Sequence, residues 1–124
     1  MTSESNEIKS LADQAEKKLR DIESKLRQAE DKKRDDEDDL HRNEAAAIRQ
    51  KSQGNDASQE AQRVAHDTNE LMEDNHEIAE LRKQVAGAKD TISKIKHWMG
   101  QSEYEDESKR REAVDNAKQE FNSL

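Results

Sequence analysis

The sequence predicts an all-α fold, in which a long antiparallel coiled-coil helical hairpin is followed by a shorter third helix within a single domain spanning residues 1–124. Charged residues make up 42% of the chain and hydrophobic residues only 29%, too few to fill an ordinary globular core. Only 2% of the residues are aromatic and proline is absent, which leaves few strand formers and no strong helix breaker. The remaining apolar residues recur at alternating spacings of three and four, as in a coiled coil, and this periodicity also disfavours disorder.

The first helix is expected near residues 4–52. Its apolar stripe is interrupted once by a charged interval and consists of Ile8, Leu11, Ala12, Ala15, Leu19, Ile22, Leu26, Ala29, Leu40, Ala47 and Ile48. In the interval the seam positions are Lys33 and Asp36, so we expect the hairpin to be weakest there. These polar residues either fix the register of the helices, or form a hinge or an acidic docking surface for a basic partner.

The second helix is expected near residues 57–99. Gly54 breaks the pattern before it, because glycine adopts the left-handed conformation at a helix end without strain. Asp56 and Gln59 have the spacing of a capping box, which marks the start of a helix. The stripe of this helix consists of Ala61, Val64, Thr68, Leu71, Ile78, Leu81, Val85, Ala88, Ile92, Ile95 and Met99.

The two stripes match each other as the arms of one hairpin. If the chain folds back at Gly54, facing residues have numbers that add to about 107, because one arm ascends while the other descends. The apolar pairs that satisfy this condition are Ile8 with Met99, Ala15 with Ile92, Leu19 with Ala88, Ile22 with Val85, Leu26 with Leu81, and Ala29 with Ile78. The predicted hairpin seam comprises Ile8, Ala15, Leu19, Ile22, Leu26, Ala29, Ile78, Leu81, Val85, Ala88, Ile92 and Ile95. An antiparallel dimer of two straightened chains is the alternative arrangement.

The third helix is expected near residues 103–122, where Ser102 and Glu105 again have the spacing of a capping box. Its short apolar stripe either folds back along the hairpin near residues 86–88 to give a three-helix bundle, or docks a second copy or another protein. Aromatic residues are frequent binding hot spots, and all three lie near this end of the chain. The candidate partner-binding residues are Trp98, Met99, Tyr104, Val114, Ala117, Phe121 and Leu124. The first two of them alternatively close the open end of the hairpin.

No residue pattern points to catalysis, and we expect the chain not to be an enzyme. Cysteine is absent, and neither a glycine-rich phosphate loop nor a nucleophile elbow occurs. His41 and His66 would face each other in the hairpin, with Glu37 and Glu70 one turn away, which is a conceivable cation site. Exposed histidines beside the seam are the simpler interpretation, so we predict neither a metal nor a cofactor.

The expected partners are protein helices, from another protein or from further copies of this chain. Thirty acidic residues outnumber twenty-two basic ones, so direct nucleic-acid binding, which needs a basic face, is not expected. No apolar run approaches the ~20 residues that span a bilayer, so membrane association would require a partner. The absence of cysteine and of a visible signal peptide favours a cytoplasmic setting.

Two runs in the second helix resemble stretches of Qb-type SNARE motifs, which are heptad helices that zip into four-helix bundles during membrane fusion. They are residues 64–71, with the sequence VAHDTNEL, and residues 92–100, with the sequence ISKIKHWMG. The spacing between them is about two heptads shorter than in that family, and the family's central glutamine falls on or near Leu81. The resemblance implies a membrane-trafficking helix as one possible function.

The leading functional hypothesis is a non-enzymatic adaptor or scaffold that acts through helix–helix packing. The alternatives are a SNARE-like or tether-like trafficking protein, and an acidic chaperone or inhibitor that caps a basic partner. Binding that weakens with salt would be the signature of the last of these.

Overall fold

The computed structural model describes residues 2–104 and 106–124, and three α-helices account for almost all of them. The helices are α1 (Ser3–Ser52), α2 (Ser58–Gln101) and α3 (Glu107–Asn122), and no strand occurs in the described residues. The prediction of an all-α fold is confirmed. The first two helices begin and end within about two residues of their expected limits, whereas α3 begins at Glu107 instead of near residue 103.

The chain forms two compact units. One consists of Met1–Ser24 and Arg82–Leu124, and the other of Lys25–Leu81. The first, here called the three-helix unit, contains the beginning of α1, the end of α2 and all of α3. The second, here called the two-helix unit, contains the rest of α1 and α2 with the turn that joins them. In each unit α1 and α2 pack against each other in antiparallel directions within a single chain.

The core of the three-helix unit draws side chains from all three helices. Its buried members are Ile8, Ala12, Ala15, Ile92, Ile95, Ala113, Val114 and Ala117. Half of them are alanines, which let the helix backbones approach closely. Because every buried core position is small or aliphatic, a chain with few apolar residues still fills this interior.

The twelve predicted seam residues all lose solvent exposure. Leu19, Ile22, Leu26 and Val85 are half-buried, and the others are buried, namely Ile8, Ala15, Ala29, Ile78, Leu81, Ala88, Ile92 and Ile95. Leu26, Ala29, Ile78 and Leu81 belong to the two-helix unit, and the rest belong to the three-helix unit.

The turn between α1 and α2 is closed by a Schellman motif. Gly54 has φ of 75°, its N–H donates to the carbonyl of Lys51, and the N–H of Asn55 donates to the carbonyl of Gln50. This pattern satisfies the last carbonyls of α1 and requires a residue that tolerates the left-handed conformation. On the far side of the turn, Asp56 accepts a hydrogen bond from the N–H of Ser58 at 3.0 Å and begins α2.

The start of α3 differs from the prediction because Ser102, which directly follows α2, bonds to the last turn of that helix. Its hydroxyl donates to the carbonyl of Met99 at 2.6 Å, so it closes α2 instead of capping α3. Glu105, the other member of the predicted capping box, lies outside the described residues. The N-cap of α3 is Asp106, whose carboxylate accepts a hydrogen bond from the N–H of Ser108 at 2.9 Å.

We predict opposite effects for two glycine-to-alanine substitutions. Gly54→Ala should lower the free energy of unfolding by about 1 kcal/mol, because the alanine side chain disfavours the positive φ. Gly87→Ala should raise it by roughly 0.5–1 kcal/mol, because Gly87 lies inside α2 and an added methyl meets no atom within 4 Å. Urea denaturation followed by circular dichroism measures both, and a loss of stability in Gly87→Ala would contradict the open surroundings at that position.

We also predict that the three-helix core is the main stabilising element. Ile95 is fully buried, so Ile95→Ala should lower the free energy of unfolding by roughly 2–4 kcal/mol. Ile48→Ala is the matched control, because 66% of Ile48 is exposed and its truncation should change stability by less than about 0.5 kcal/mol. Equal losses in the two variants would show that the observed core does not dominate stability.

Candidate functional site

The structure divides the seven predicted partner-binding residues into three groups. Val114 and Ala117 are buried in the core of the three-helix unit. Half-buried side chains pack against that core, and they are Trp98, Met99, Phe121 and Leu124. Tyr104 is 49% exposed. The apolar stripe of α3 is therefore covered by α1 and α2 of the same chain, and Tyr104 is the most accessible aromatic side chain in this set.

Polar contacts hold α3 in the three-helix unit. Lys118 Nζ lies 3.2 Å from a carboxylate oxygen of Glu7, and the ammonium group of Lys18 lies 4.6 Å from the ring centroid of Phe121. Near the start of α1, the hydroxyl of Thr2 donates to the carbonyl of Ser102 at 3.0 Å. These contacts connect α1 to α3, and the residue before α1 to the residue after α2, so they hold the three helices together at several levels of this unit.

The open clefts of the three-helix unit include two that involve predicted partner-binding residues. One, of about 280 Å³, is lined by residues that include Ile22, Gly87, Thr91 and Leu124. The other, of about 340 Å³, is bordered by Trp98, Gln101, Tyr104, Lys109, Glu112 and Ala113. The first volume is slightly below, and the second close to, the lower limit of about 300 Å³ for ligand pockets.

The negative charge of the protein is concentrated in the two-helix unit. Residues 25–81 contain nine basic and sixteen acidic side chains, a net charge of −7 out of −8 for the chain. The three-helix unit is close to neutral, with thirteen basic and fourteen acidic side chains. A charged partner therefore experiences the field of the two-helix unit above all.

Polar side chains cross the seam of the two-helix unit. Lys32 Nζ lies 2.6 Å from Asp74 Oδ1 and 3.1 Å from Asp36 Oδ2. Nearer the turn, the amide of Asn43 donates to Asp67 Oδ2 at 2.6 Å. Because the Lys32–Asp74 and Asn43–Asp67 contacts each join α1 to α2 at one level only, these two pairs define the register of the two helices.

The Asp36 and Asp74 carboxyls interact with each other. Burial and a hydrogen bond with Asp36 raise the pKa of Asp74, whereas the same hydrogen bond and Lys32 lower the pKa of Asp36. Asp74 Oδ2 is buried and has no donor partner when both groups are ionised. A proton on Asp74 Oδ2 could be donated to Asp36, which would satisfy this oxygen. Of the two carboxyls, Asp74 is therefore the one that takes up a proton first as the pH falls.

Two large apolar side chains are exposed on the two-helix unit, Ile48 at 66% and Met72 at 65%. The stripe predictions for Ile48, Ala61 and Thr68 are wrong, because all three are exposed beside the seam. On α2, Met72 belongs to a second row of exposed small or apolar residues, at positions 61, 65, 68, 72 and 79. We call this row, together with Ile48, the Met72 face. Met72 was not among the predicted site residues, although the spacings of four, three and four from position 61 to position 72 carried the signal.

No side-chain cluster suited to a metal occurs in the described residues. No group of three or more histidine, cysteine, aspartate or glutamate side chains is placed to hold an ion there. His66 Nε2 lies 3.0 Å from Glu70 Oε1 on its own helix. Within the same part of the chain, no helix combines the length and apolarity needed to cross a membrane.

Comparison with known proteins found no match to a family model, to a curated protein or to a solved structure. The basis for a functional proposal is therefore the fold, the charge distribution and the exposed apolar residues.

We predict that Asp74→Asn stabilises the protein at neutral pH. The asparagine amide supplies the donor that the buried oxygen lacks, so the free energy of unfolding at pH 7 should rise by about 1 kcal/mol. Lys32 is largely exposed, so weakening its ion pair costs little.

The stability gained by Asp74→Asn should depend on pH. Because the folded-state pKa of Asp74 is above its ordinary value of 3.8, its stabilising contribution is complete below pH 3.8 and is lost as the pH rises through the folded-state pKa. The gain in Asp74→Asn should therefore be small near pH 3 and grow toward pH 7 in urea titrations. Asp35→Asn, an exposed control on α1, should show no such trend. A destabilised Asp74→Asn at pH 7 would mean that the ion pair with Lys32 dominates.

Proposed function

We propose that this chain is a non-enzymatic helix-docking module, which acts as an adaptor or scaffold in protein–protein contacts. The observation that carries the proposal is the exposure of Ile48 and Met72 on a unit built from only two helices. Exposed apolar side chains on an otherwise charged surface are typical of interaction sites. A groove beside two packed helices is a common binding site for a third helix.

A third helix packs against α1 and α2 in the three-helix unit only. In the three-helix unit, α3 adds Ala113, Val114 and Ala117 to the core. In the two-helix unit, Leu26, Leu40 and Leu71 remain only half-buried. A partner helix would remove more apolar surface from water there, and this burial supplies the driving force for docking.

The acidic-cap alternative is favoured by a separate observation, the net charge of −7 in the two-helix unit. It is compatible with helix docking, because a basic helix would satisfy both descriptions. The proposal includes a cytoplasmic setting, supported by the cysteine-free composition. Self-association through α3 has less support, because its stripe is already covered within the chain.

We predict that the full chain selects amphipathic helices from a displayed library of 21-residue helical peptides with mixed flanking charges. Helix-in-groove binding requires an apolar stripe with helical spacing on the partner, so the enriched peptides should carry one. The double variant Ile48→Ser with Met72→Ser should lose at least about tenfold in affinity for the enriched peptides, measured by fluorescence anisotropy.

The matched control is the double variant Gln28→Ser with Gln59→Ser. It also changes one exposed residue on each of α1 and α2 in the two-helix unit, but away from the Met72 face. It should bind like the unmodified chain. Enrichment of peptides without an apolar stripe, or equal losses in the two double variants, would refute the docking proposal.

A further inference from the structure

We propose that the partner of the two-helix unit is a basic amphipathic helix, which docks along the Met72 face with its cationic side chains toward α1. This inference rests on the proposed function and adds the chemistry of the partner. It follows from the heptad positions of the exposed residues, from their spacing, and from the distribution of charge.

The heptad positions place the exposed apolar residues on one side of the unit. With seam positions labelled a and d, Ile48 and Met72 both fall at position b, which lies next to position e on the helix surface. In an antiparallel pair, the e positions of the two helices lie on the same side of the seam. The e positions Glu16 and Lys96 of the three-helix unit follow this rule, with an N–O distance of 2.9 Å.

The opposite side of the two-helix unit is polar. A shallow groove there is lined by Asn43, Gln59, Gln62, Arg63, His66 and Asp67. No large apolar side chain contributes to that groove, so the Met72 face is the apolar side of this unit.

The spacing fits a helix of moderate length. Met72 lies opposite residue 35 of α1 in the hairpin register, so it is about thirteen residues, or ~20 Å, from the level of Ile48. Two heptads of a partner helix cover the same length. The intervening alanines at positions 61 and 65 are exposed and have no bulk, so a third backbone can approach α2 closely between the two larger side chains.

The charge beside the face selects a cationic partner. Glu30, Glu37 and Glu44 occupy three successive e positions of α1, which border the Met72 face between the levels of Met72 and Ile48 and beyond. Glu37 lies 3.8 Å from Lys33, a loose exposed pair, and Glu30 and Glu44 have no ion-pair partner among the described residues. Lysine or arginine side chains on a docked helix would complete these pairs.

The same charges disfavour a second copy of this chain on the face. Two such units, each with a net charge of −7, would place like-charged glutamate rows next to each other. Repulsion of this kind suppresses self-association and leaves a basic helix from another protein as the favoured occupant.

The test is a competition between two displayed libraries that share the same randomised apolar stripe. In one library the flanking positions are lysine or arginine, and in the other they are glutamate or aspartate. We expect the full chain to enrich the basic library only, and the Kd of an enriched basic peptide to rise as NaCl is increased from low to physiological concentration.

Charge reversal on the protein locates the contact. Glu37→Lys should lower the affinity for an enriched basic peptide about tenfold. Glu73→Lys makes the same change of charge on an exposed residue off the face, and it should lower the affinity less than about threefold. Equal effects would overturn the assignment to the Met72 face.

Enrichment of the acidic library would overturn the partner chemistry and leave helix docking intact, whereas enrichment of neither library would count against helix docking itself. Dimerisation of the unmodified chain that Met72→Ser abolishes would also overturn the proposal, by assigning the face to a second copy.

Discussion

The structure depends on the antiparallel pairing of α1 and α2 through a narrow seam with alternating three- and four-residue spacing. In a chain with only 29% hydrophobic residues, each helix can bury one stripe and no more. Small residues such as Ala12, Ala15 and Ala88 occupy many of the stripe positions, so the backbones lie close and dispersion contacts replace bulk.

The buried polar contacts of the two-helix unit specify the register of α1 and α2, and they lower the stability of the pairing. A row of leucines could slide by one heptad at little cost, whereas Asp74 can meet Lys32 and Asp36 at one level only. Burying a carboxyl is unfavourable unless it is protonated or paired. When Asp74 is protonated, its hydrogen bond to Asp36 reduces this cost, because one charge is then removed from the seam. The seam of the two-helix unit is less apolar than that of the three-helix unit, and its polar contacts make the pairing of α1 with α2 specific.

The sequence predicted the fold to a large extent because helix formation and stripe spacing are local properties. The three helices, their approximate limits and the antiparallel register were all available from the spacing of apolar residues. The predicted start of α3 was wrong, because two possible N-cap residues, Ser102 and Asp106, lie four residues apart in the sequence. Only the tertiary structure shows that the hydroxyl of Ser102 bonds to the end of α2. The burial of Val114 and Ala117 was likewise left open, because an apolar stripe does not state whether its own chain or a partner covers it.

The division into two units suggests why docking should concentrate in one of them. Local stability follows the density of buried apolar contacts, and among the described residues the two-helix unit buries few large ones, chiefly Ile78 and Leu81. A partner helix on its open face would add contacts where they are scarce. The three-helix unit already has its third helix and is nearly neutral. The apolar exposure, the sparse core and the negative charge therefore coincide in the same segment, residues 25–81, and the proposed basic amphipathic helix would complement all three.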